Sequence, residues 1–319
     1  MLVYAVRRLL WTFPVLWLVA TLTFVLMHLA PGDPWNMLTR PESFIQSGRT
    51  ISEPTVPGLR QKFLQENGLD RPLIVQYLVY LKSAVMLDFP DPIRHPGMTV
   101  SEVIRERLPY TLVIGLGSFL LALLLGVPAG LVAALRNGRW TDYVIRATLT
   151  TCYAVPNFVI AVFLLMLFAA YLGWVPVIWT DWRSFILPVI SLALGPAAFL
   201  GRLTRASVLD VAGRDYVRTA RAKGLSSSTV SVHHILRNAV LPVVTLLGSG
   251  LSTAVAGSVI IENIFGVHGM GYQYYQSILS RDYPMIMGTT ECYALVIVLG
   301  NLLADLAHGT LEPRIRVAP

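Results

Sequence analysis

The residues in this chain that could do chemistry are few, and their spacing does not suit it. A nucleotide-binding phosphate loop needs a lysine directly after a glycine, but Lys62, Lys82 and Lys223 follow Gln61, Leu81 and Ala222. The six histidines form no His-Glu-x-x-His or similar metal spacing. His233 and His234 are adjacent, which puts them about 100° apart around a helix. Gly250-Leu251-Ser252 is only a weak likeness of a nucleophile motif, with no partner histidine at a comparable depth. Cys152 and Cys292 both lie in apolar runs and read as small buried hydrophobes, not as a disulfide or metal pair. The expectation is a chain that is not an enzyme, with no cofactor and no metal of its own.

What remains is a basic stretch from Arg202 to Pro242. It holds Arg202, Arg205, Arg214, Arg218, Arg221, Lys223 and Arg237 against Asp210 and Asp215, a local excess of five positive charges. Its middle, Asp215 to Leu225, reads as one short helix. Asp215 is placed to cap the start, and Gly224 stands where a left-handed C-terminal cap is wanted. Ser226, Ser227 and Ser228 offer a second cap, from which a new helix leads through Val230 and Ile235 to Leu241-Pro242. A basic, alanine-rich helix held between membrane spans is shaped to be touched from the cytoplasm. For the charge alone, an ordinary loop obeying topology rules is an equal alternative.

The elements that position this stretch are membrane helices. Of 319 residues, 55% are hydrophobic and 13% charged, about half the charged fraction of a soluble domain. The net charge of +7 follows topology and implies no nucleic acid. A span takes roughly 20 apolar residues, and six segments qualify: Leu9–Ala30, Thr111–Leu135, Ala147–Leu172, Phe185–Leu209, Ala239–Ile261 and Met285–Leu306. Arg202 and Arg205 in the last turns of the fourth imply a helix that protrudes into water. The first has a basic start but too long an apolar run for a cleaved signal peptide, and His28 and Pro31 spoil the plausible cut after Ala30. Arg7, Arg8, Arg136, Arg139, Arg146, the Arg202–Pro242 cluster, Arg314 and Arg316 all fall on one side of these spans. Both termini and the basic stretch are therefore expected in the cytoplasm.

Outside lies Pro31–Tyr110, expected to be a small helical cap. Pro31-Gly32-Asp33-Pro34 reads as a rigid turn. A helix is expected from about Leu59 to Asn67, ended by Gly68, and a second from Pro72 through Val85. Thr99 and Glu102 form a capping-box signal ahead of span 2. The organisation is residues 1–30 with span 1, an external segment 31–110, and a core 111–319 containing the loop 202–242. The core is rich in Pro128, Pro156, Pro188 and Pro196 and in glycines such as Gly115, Gly117, Gly126 and Gly130, which allow close helix approach and bends. Charges inside spans are functional candidates by default. Asp305 reads as structurally paired with His308, Arg314 and Arg316, and Glu291 as a weak candidate for a transport path.

From Ala220 to Pro242 the chain resembles the cytoplasmic loop of permease subunits of ATP-binding-cassette importers, in the form found in the dipeptide, oligopeptide and nickel branch. Arg7-Arg8-Leu9, Pro31-Gly32-Asp33-Pro34 and Asn67-Gly68-Leu69-Asp70-Arg71-Pro72 resemble the same branch. So do Arg107-Leu108-Pro109, His234 to Thr245, Glu262-Asn263-Ile264-Phe265, Arg281-Asp282-Tyr283-Pro284 and the tail from Asn301 to Arg316. The chain departs from it at Arg218-Thr219-Ala220, where the wider superfamily has Glu-Ala-Ala, at Leu87-Asp88-Phe89-Pro90, and at Val267-His268-Gly269-Met270-Gly271.

The resemblance implies an all-α membrane protein with the type I importer permease fold: six transmembrane helices, a cytoplasmic coupling helix between spans 4 and 5, and a small external helical segment between spans 1 and 2. It implies a bacterial or archaeal inner membrane, a second homologous permease subunit, two ATPase subunits that supply ATP and Mg, and an extracytoplasmic substrate-binding protein. The cargo implied is di- or oligopeptides, with nickel chelates, glutathione or oligosaccharides as alternatives. Asp215, Tyr216, Arg218, Thr219, Ala220, Arg221, Ala222, Lys223 and Gly224 are then the expected ATPase-docking residues. Phe265, His268, Gly269, Met270, Gly271 and Tyr272 are the expected contacts for the binding protein. A secondary transporter or a channel subunit is the rival class. It would carry its own ionisable coupling sites or an inverted repeat, and no repeat is evident.

Overall fold

The computed structural model describes residues 2–31, 34–35, 58–95, 97–176, 180–256 and 258–311. The expected turn at Gly32-Asp33 lies outside the described residues, as do the side chains of Asp305 and His308 and the residues Arg314 and Arg316. Every regular element among the described residues is helical. In chain order these are α1 (Leu2–Leu29), α2 (Leu59–Glu66), α3 (Leu73–Met86), α4 (Val100–Leu135) and α5 (Trp140–Ala154). Next come α6 (Asn157–Leu164), continued by a π-helix over Leu165–Tyr171, and a 3-10 turn, Trp182–Phe185, that leads into α7 (Ile186–Ala212). α8 (Asp215–Ala222) is followed by α9, a helical segment over residues 227–239 whose middle, Val230–Leu236, is π-helical. The last four are α10 (Leu241–Ala256), α11 (Ser258–Phe265), α12 (Met270–Ser280) and α13 (Tyr283–Leu311).

Among the described residues, four helices are long and apolar enough to cross a membrane: Leu10–Leu29, Val100–Leu135, Trp182–Ala212 and Tyr283–Leu302. The number reaches six when two bent helix pairs each count as one span. The expected third span is one of these pairs and is not a straight rod. α5 and α6 meet at 100°, because Val155 and Pro156 are both extended, with ψ 126° and 139°. Proline disfavours helical backbone at the residue before it. With 36 residues, α4 is about 54 Å long at 1.5 Å per residue, so it outruns the hydrocarbon layer and carries Glu102, Arg105 and Arg107 beyond it.

The described residues form two compact units. One comprises residues 2–109 and 268–298. In it α3 lies along α1: Tyr77 and Thr21 share a hydroxyl contact of 2.8 Å, and Phe24 packs against both Tyr77 and Tyr80. Tyr80 is buried and donates to Glu291 Oε1 on α13 at 3.1 Å. The expected external helices form with small shifts, Gly68 being left-handed at φ 65° and Pro72 capping α3 instead of opening it. The capping box forms as expected: Thr99 N donates to Glu102 Oε2 at 2.7 Å and Glu102 N to Thr99 Oγ1 at 3.2 Å. Asp282 is buried and accepts from the Arg94 and Met285 backbone N–H groups at 3.0 and 3.3 Å. Burial pushes its carboxyl above the usual range, against the pull of these donors.

The other unit comprises residues 110–267 and those from 299 onward. α7 runs through its core, with Leu192, Ala193, Ala197, Leu200 and Val208 buried. Small residues bring α4 against it. A Cβ on Gly126 would run into the Ala197 carbonyl, one on Gly130 into the Gly201 carbonyl, and one on Gly201 would stand 3.1 Å from the Gly126 oxygen. The four-residue spacing on both helices puts each pair on one face, and small residues there allow backbone-to-backbone contact. Both cysteines are free thiols, half-buried as the apolar reading anticipates.

Candidate functional site

Helix α7 stops at Ala212, and Gly213 and Arg214 turn the chain. Arg214 is extended at φ −69°, ψ 148°, and is the N-cap of α8 without a side-chain cap bond. Asp215 was expected to cap this helix. It is instead the first helical residue, fully in solvent, with its carboxylate 3.6 Å from Arg218 Nη1. A negative charge there still favours the helix through the aligned peptide dipoles. The C-terminal end is as expected: Lys223 N bonds Thr219 O at 3.0 Å, and Gly224 is left-handed at φ 79°. Ser226 then caps α9, its hydroxyl accepting from Thr229 N at 3.3 Å.

One face of α8 is turned into the protein. Val217 and Ala220, three residues apart, are buried with Ala134 from α4, Val208 and Val211 from α7, and Val230, Ile235 and Ala239 from α9. Ala220 was expected on the docking face, but it packs against the chain's own core. Residues three apart share a helix face, so the position of Val217 settles that of Ala220. Tyr216 is exposed along part of its ring, but its hydroxyl ties α8 to α9. It donates to His234 O at 3.4 Å and accepts from Asn238 Nδ2 at 3.2 Å. Asp215, Arg218, Thr219, Arg221, Ala222, Lys223 and Gly224 face outward. Arg214 joins them, held 2.8 Å from Asp210, whose hydrogen bond and charge raise its pKa further. The result is an outward-facing basic ledge on an apolar base. Among the described residues no group of three or more His, Cys, Asp or Glu could hold a metal ion.

Beneath this ledge is a pair that does not stand out in the sequence. Arg205 on α7 grips Asp142 at the start of α5 with two bonds, Nε to Oδ1 at 2.7 Å and Nη2 to Oδ2 at 2.8 Å. Nη2 also reaches Asn137 Oδ1 at 2.9 Å, and Gly138 N donates to Asp142 Oδ2 at 3.0 Å. Arg202, a turn earlier, lies over the Tyr153 ring at 5.0 Å.

The expected external contacts are mostly covered. Phe265, Gly269, Met270 and Gly271 are buried, Tyr272 is half-buried, and only His268 is exposed, its ring 5.2 Å from that of Tyr272. The reason is that Met270 opens α12, a helix not foreseen in the sequence. Glu291, the weak path candidate, is buried with Tyr80 as its partner. Glu262, not singled out from the sequence, is fully buried and accepts at Oε1 from Thr111 Oγ1 and Ser258 Oγ, both at 2.7 Å.

Residues 126–317 match the family model for the binding-protein-dependent transport system inner membrane component. The chain belongs to that family. Among curated relatives, the dipeptide transport system permease protein DppB of Bacillus subtilis is 39% identical over 94% of this chain and 93% of its own length. The oligopeptide transport system permease protein AppB of the same species is 39% identical over 99% of both chains. The glutathione transport system permease protein GsiC of Escherichia coli K12 is 35% identical, again over 99% of both. Among solved structures, an inward-facing form of the MetNI methionine ABC transporter superposes with a TM-score of 0.51 at 17% identity, covering 66% of this permease and 94% of that chain. An amino acid ABC transporter gives a TM-score of 0.51 at 18% identity, covering 65% and 94%. At these identities the match speaks for the fold, the type I importer permease architecture.

Proposed function

We propose that this permease forms, with a second permease subunit, the membrane path of an importer for di- and oligopeptides. An extracytoplasmic binding protein delivers the cargo, and ATP hydrolysis in two partner subunits drives the cycle. The observation that carries the reading is the basic ledge of α8, outward-facing and braced from below, in a chain alike over almost its whole length to dipeptide and oligopeptide permeases. The ledge sits in the cytoplasm with both termini and engages the ATPase through Arg218, Arg221 and Lys223. Val217 and Ala220 receive its displacement and pass it to α7. Similarity to glutathione permeases at 35% identity supports a second cargo of the same kind, since glutathione is itself a short peptide.

A photo-crosslinking residue at Arg218, used in the assembled complex, tests the docking. It should capture the ATPase subunit, and a complex in which position 218 meets only water would overturn the reading. Uptake of labelled peptides into liposomes, driven by ATP and the loaded binding protein, tests the cargo. Glutathione uptake alone would shift the assignment, and uptake by this chain without partners would end it.

A further inference from the structure

The inward face of α8 shares an apolar cluster with α4, α7 and α9, and its polar ties are at the rim, Arg214 to Asp210 of α7 and Tyr216 to α9. Apolar contact resists separation, but it is non-directional and gives little hold on sideways movement. α4 and α7 are already locked together by the backbone contacts of Gly126 and Gly130 with Ala197 and Gly201. α5 is different. It leaves α4 through a tight turn in which Gly138 is left-handed at φ 76°, and beyond Ala154 it breaks by 100° into α6. α5 lies along α7, with Leu149 against Gly201, and how firmly its start follows the coupling helix depends on what fastens it there.

The fastening is directional. The two parallel bonds between Arg205 and Asp142 fix orientation as well as distance, and the Asp142 side chain is 1% exposed against 19% for Arg205. Asn137 and the Gly138 N–H complete the knot, so the whole turn between α4 and α5 is gripped by one guanidinium. Arg205 stands three residues before Val208, which touches the base of the coupling helix. A push on α8 therefore meets α7 within one turn of the point where α7 holds α5. At the far end of α5, Asn157 opens α6, and its Oδ1 lies 2.6 Å from where a Cβ on Gly195 would stand, so α6 is seated against α7 as well.

We infer that Arg205 and Asp142 are positioning residues for transport: their ion pair makes α5, and through it the bent third span, travel with the coupling helix during the ATPase stroke. The inference rests on the proposed docking of α8 but adds a part to it, a steering joint between the lever and the span it moves.

The test uses the complete importer in liposomes, with Asp142→Asn, Arg205→Lys and the double variant. Asn keeps the acceptor for Gly138 N–H and loses the charge, while Lys keeps the charge and loses the planar fork. The readout is cargo carried per ATP hydrolysed, which a merely structural contact would not move as long as the complex assembles. Each single variant should assemble and hydrolyse ATP at the wild-type basal rate while that ratio falls about tenfold, the factor that about 1.4 kcal/mol of lost coupling gives. The double variant should be no worse than either single one, as expected for residues acting through one contact. An unchanged ratio, losses that multiply in the double variant, or failure of the Asn variant to assemble would each overturn the inference. Capture of the ATPase from position 218 in the same wild-type complex keeps the two readings apart. If capture succeeds and the ratio is unchanged, the steering joint alone is wrong.

Discussion

Tyr80 Oη and Glu291 Oε1 are 3.1 Å apart, and both side chains are buried. The bond joins α3 to α13 and gives the carboxyl of Glu291 a structural partner. Tyr80→Phe removes the donor and leaves a buried acceptor unserved, at a cost of about 1–3 kcal/mol, so the purified complex should unfold at a temperature several degrees lower. Glu291→Gln keeps an acceptor oxygen and should change neither stability nor uptake. Thermal unfolding and uptake measured side by side decide the matter: if the Gln variant is stable but transports poorly, Glu291 lines the path after all.

Gly224 separates two requirements that are easily confused. Its φ of 79° strains any residue with a Cβ, yet nothing stands within 4 Å of where that Cβ would be. Gly224→Ala should therefore cost about 1–2 kcal/mol of backbone strain and no packing. Gly224→Asn should cost less, since asparagine tolerates this region. Gly224→Val should disturb the end of α8 and lower ATP-driven uptake. Uptake that falls in the order Val, Ala, Asn supports a backbone role, and equal loss in all three would point to a surface that must stay bare.

The α4–α7 seam gives an internal contrast. At Gly130 an added methyl meets a backbone carbonyl, which cannot move aside, whereas at Gly117 it would lie 3.2 Å from Val189 Cγ2, which can. Gly130→Ala should cost about 1–3 kcal/mol through overpacking, or more, and reduce the folded yield in membranes. Gly117→Ala should be nearly silent. Folded yield and thermal unfolding of the two variants check this, and equal effects would refute the seam.

Glu262 offers a similar comparison in the same unit. Glu262→Leu removes the acceptor shared by the buried hydroxyls of Thr111 and Ser258, although Ser258 keeps the Val255 carbonyl, and should cost about 1–3 kcal/mol in all. Glu262→Gln keeps an oxygen in place and should be much milder. Unfolding temperatures of the two variants in the same lipid distinguish them.

The coupling segment was legible in the sequence because its signals are local. Gly224 and Ser226 punctuate the chain where the structure turns, and the excess of arginine marks the exposed face. The inward face was just as legible: Val217 and Ala220 stand at helical spacing, and reading that spacing would have taken Ala220 off the docking face. Asp215 misled because capping residues and first-turn residues share a composition, and only backbone geometry separates them. The span assignment gave no sign of the 100° bend at Val155-Pro156 within the third segment, since hydropathy counts apolar residues without regard to direction. Asp142 and Arg205 stand 63 positions apart, and no periodicity links them. Arg205 read as the end of a helix protruding into water, and its pairing with buried Asp142 required the fold. The segment from Phe265 to Tyr272 gave no sign of α12 because its glycines mask the start of that helix.

The seven residues from Val230 to Leu236 are wound as π-helix, not α-helix. That winding bonds each residue five positions along instead of four, so it takes up an extra residue without lengthening the path. Were the segment to tighten to the ordinary pitch, everything after it, beginning with Asn238 and its bond to Tyr216, would be rotated by about 100°. The connection from α8 to α10 thus contains a screw as well as a rod, and a change in its winding would be felt as torque.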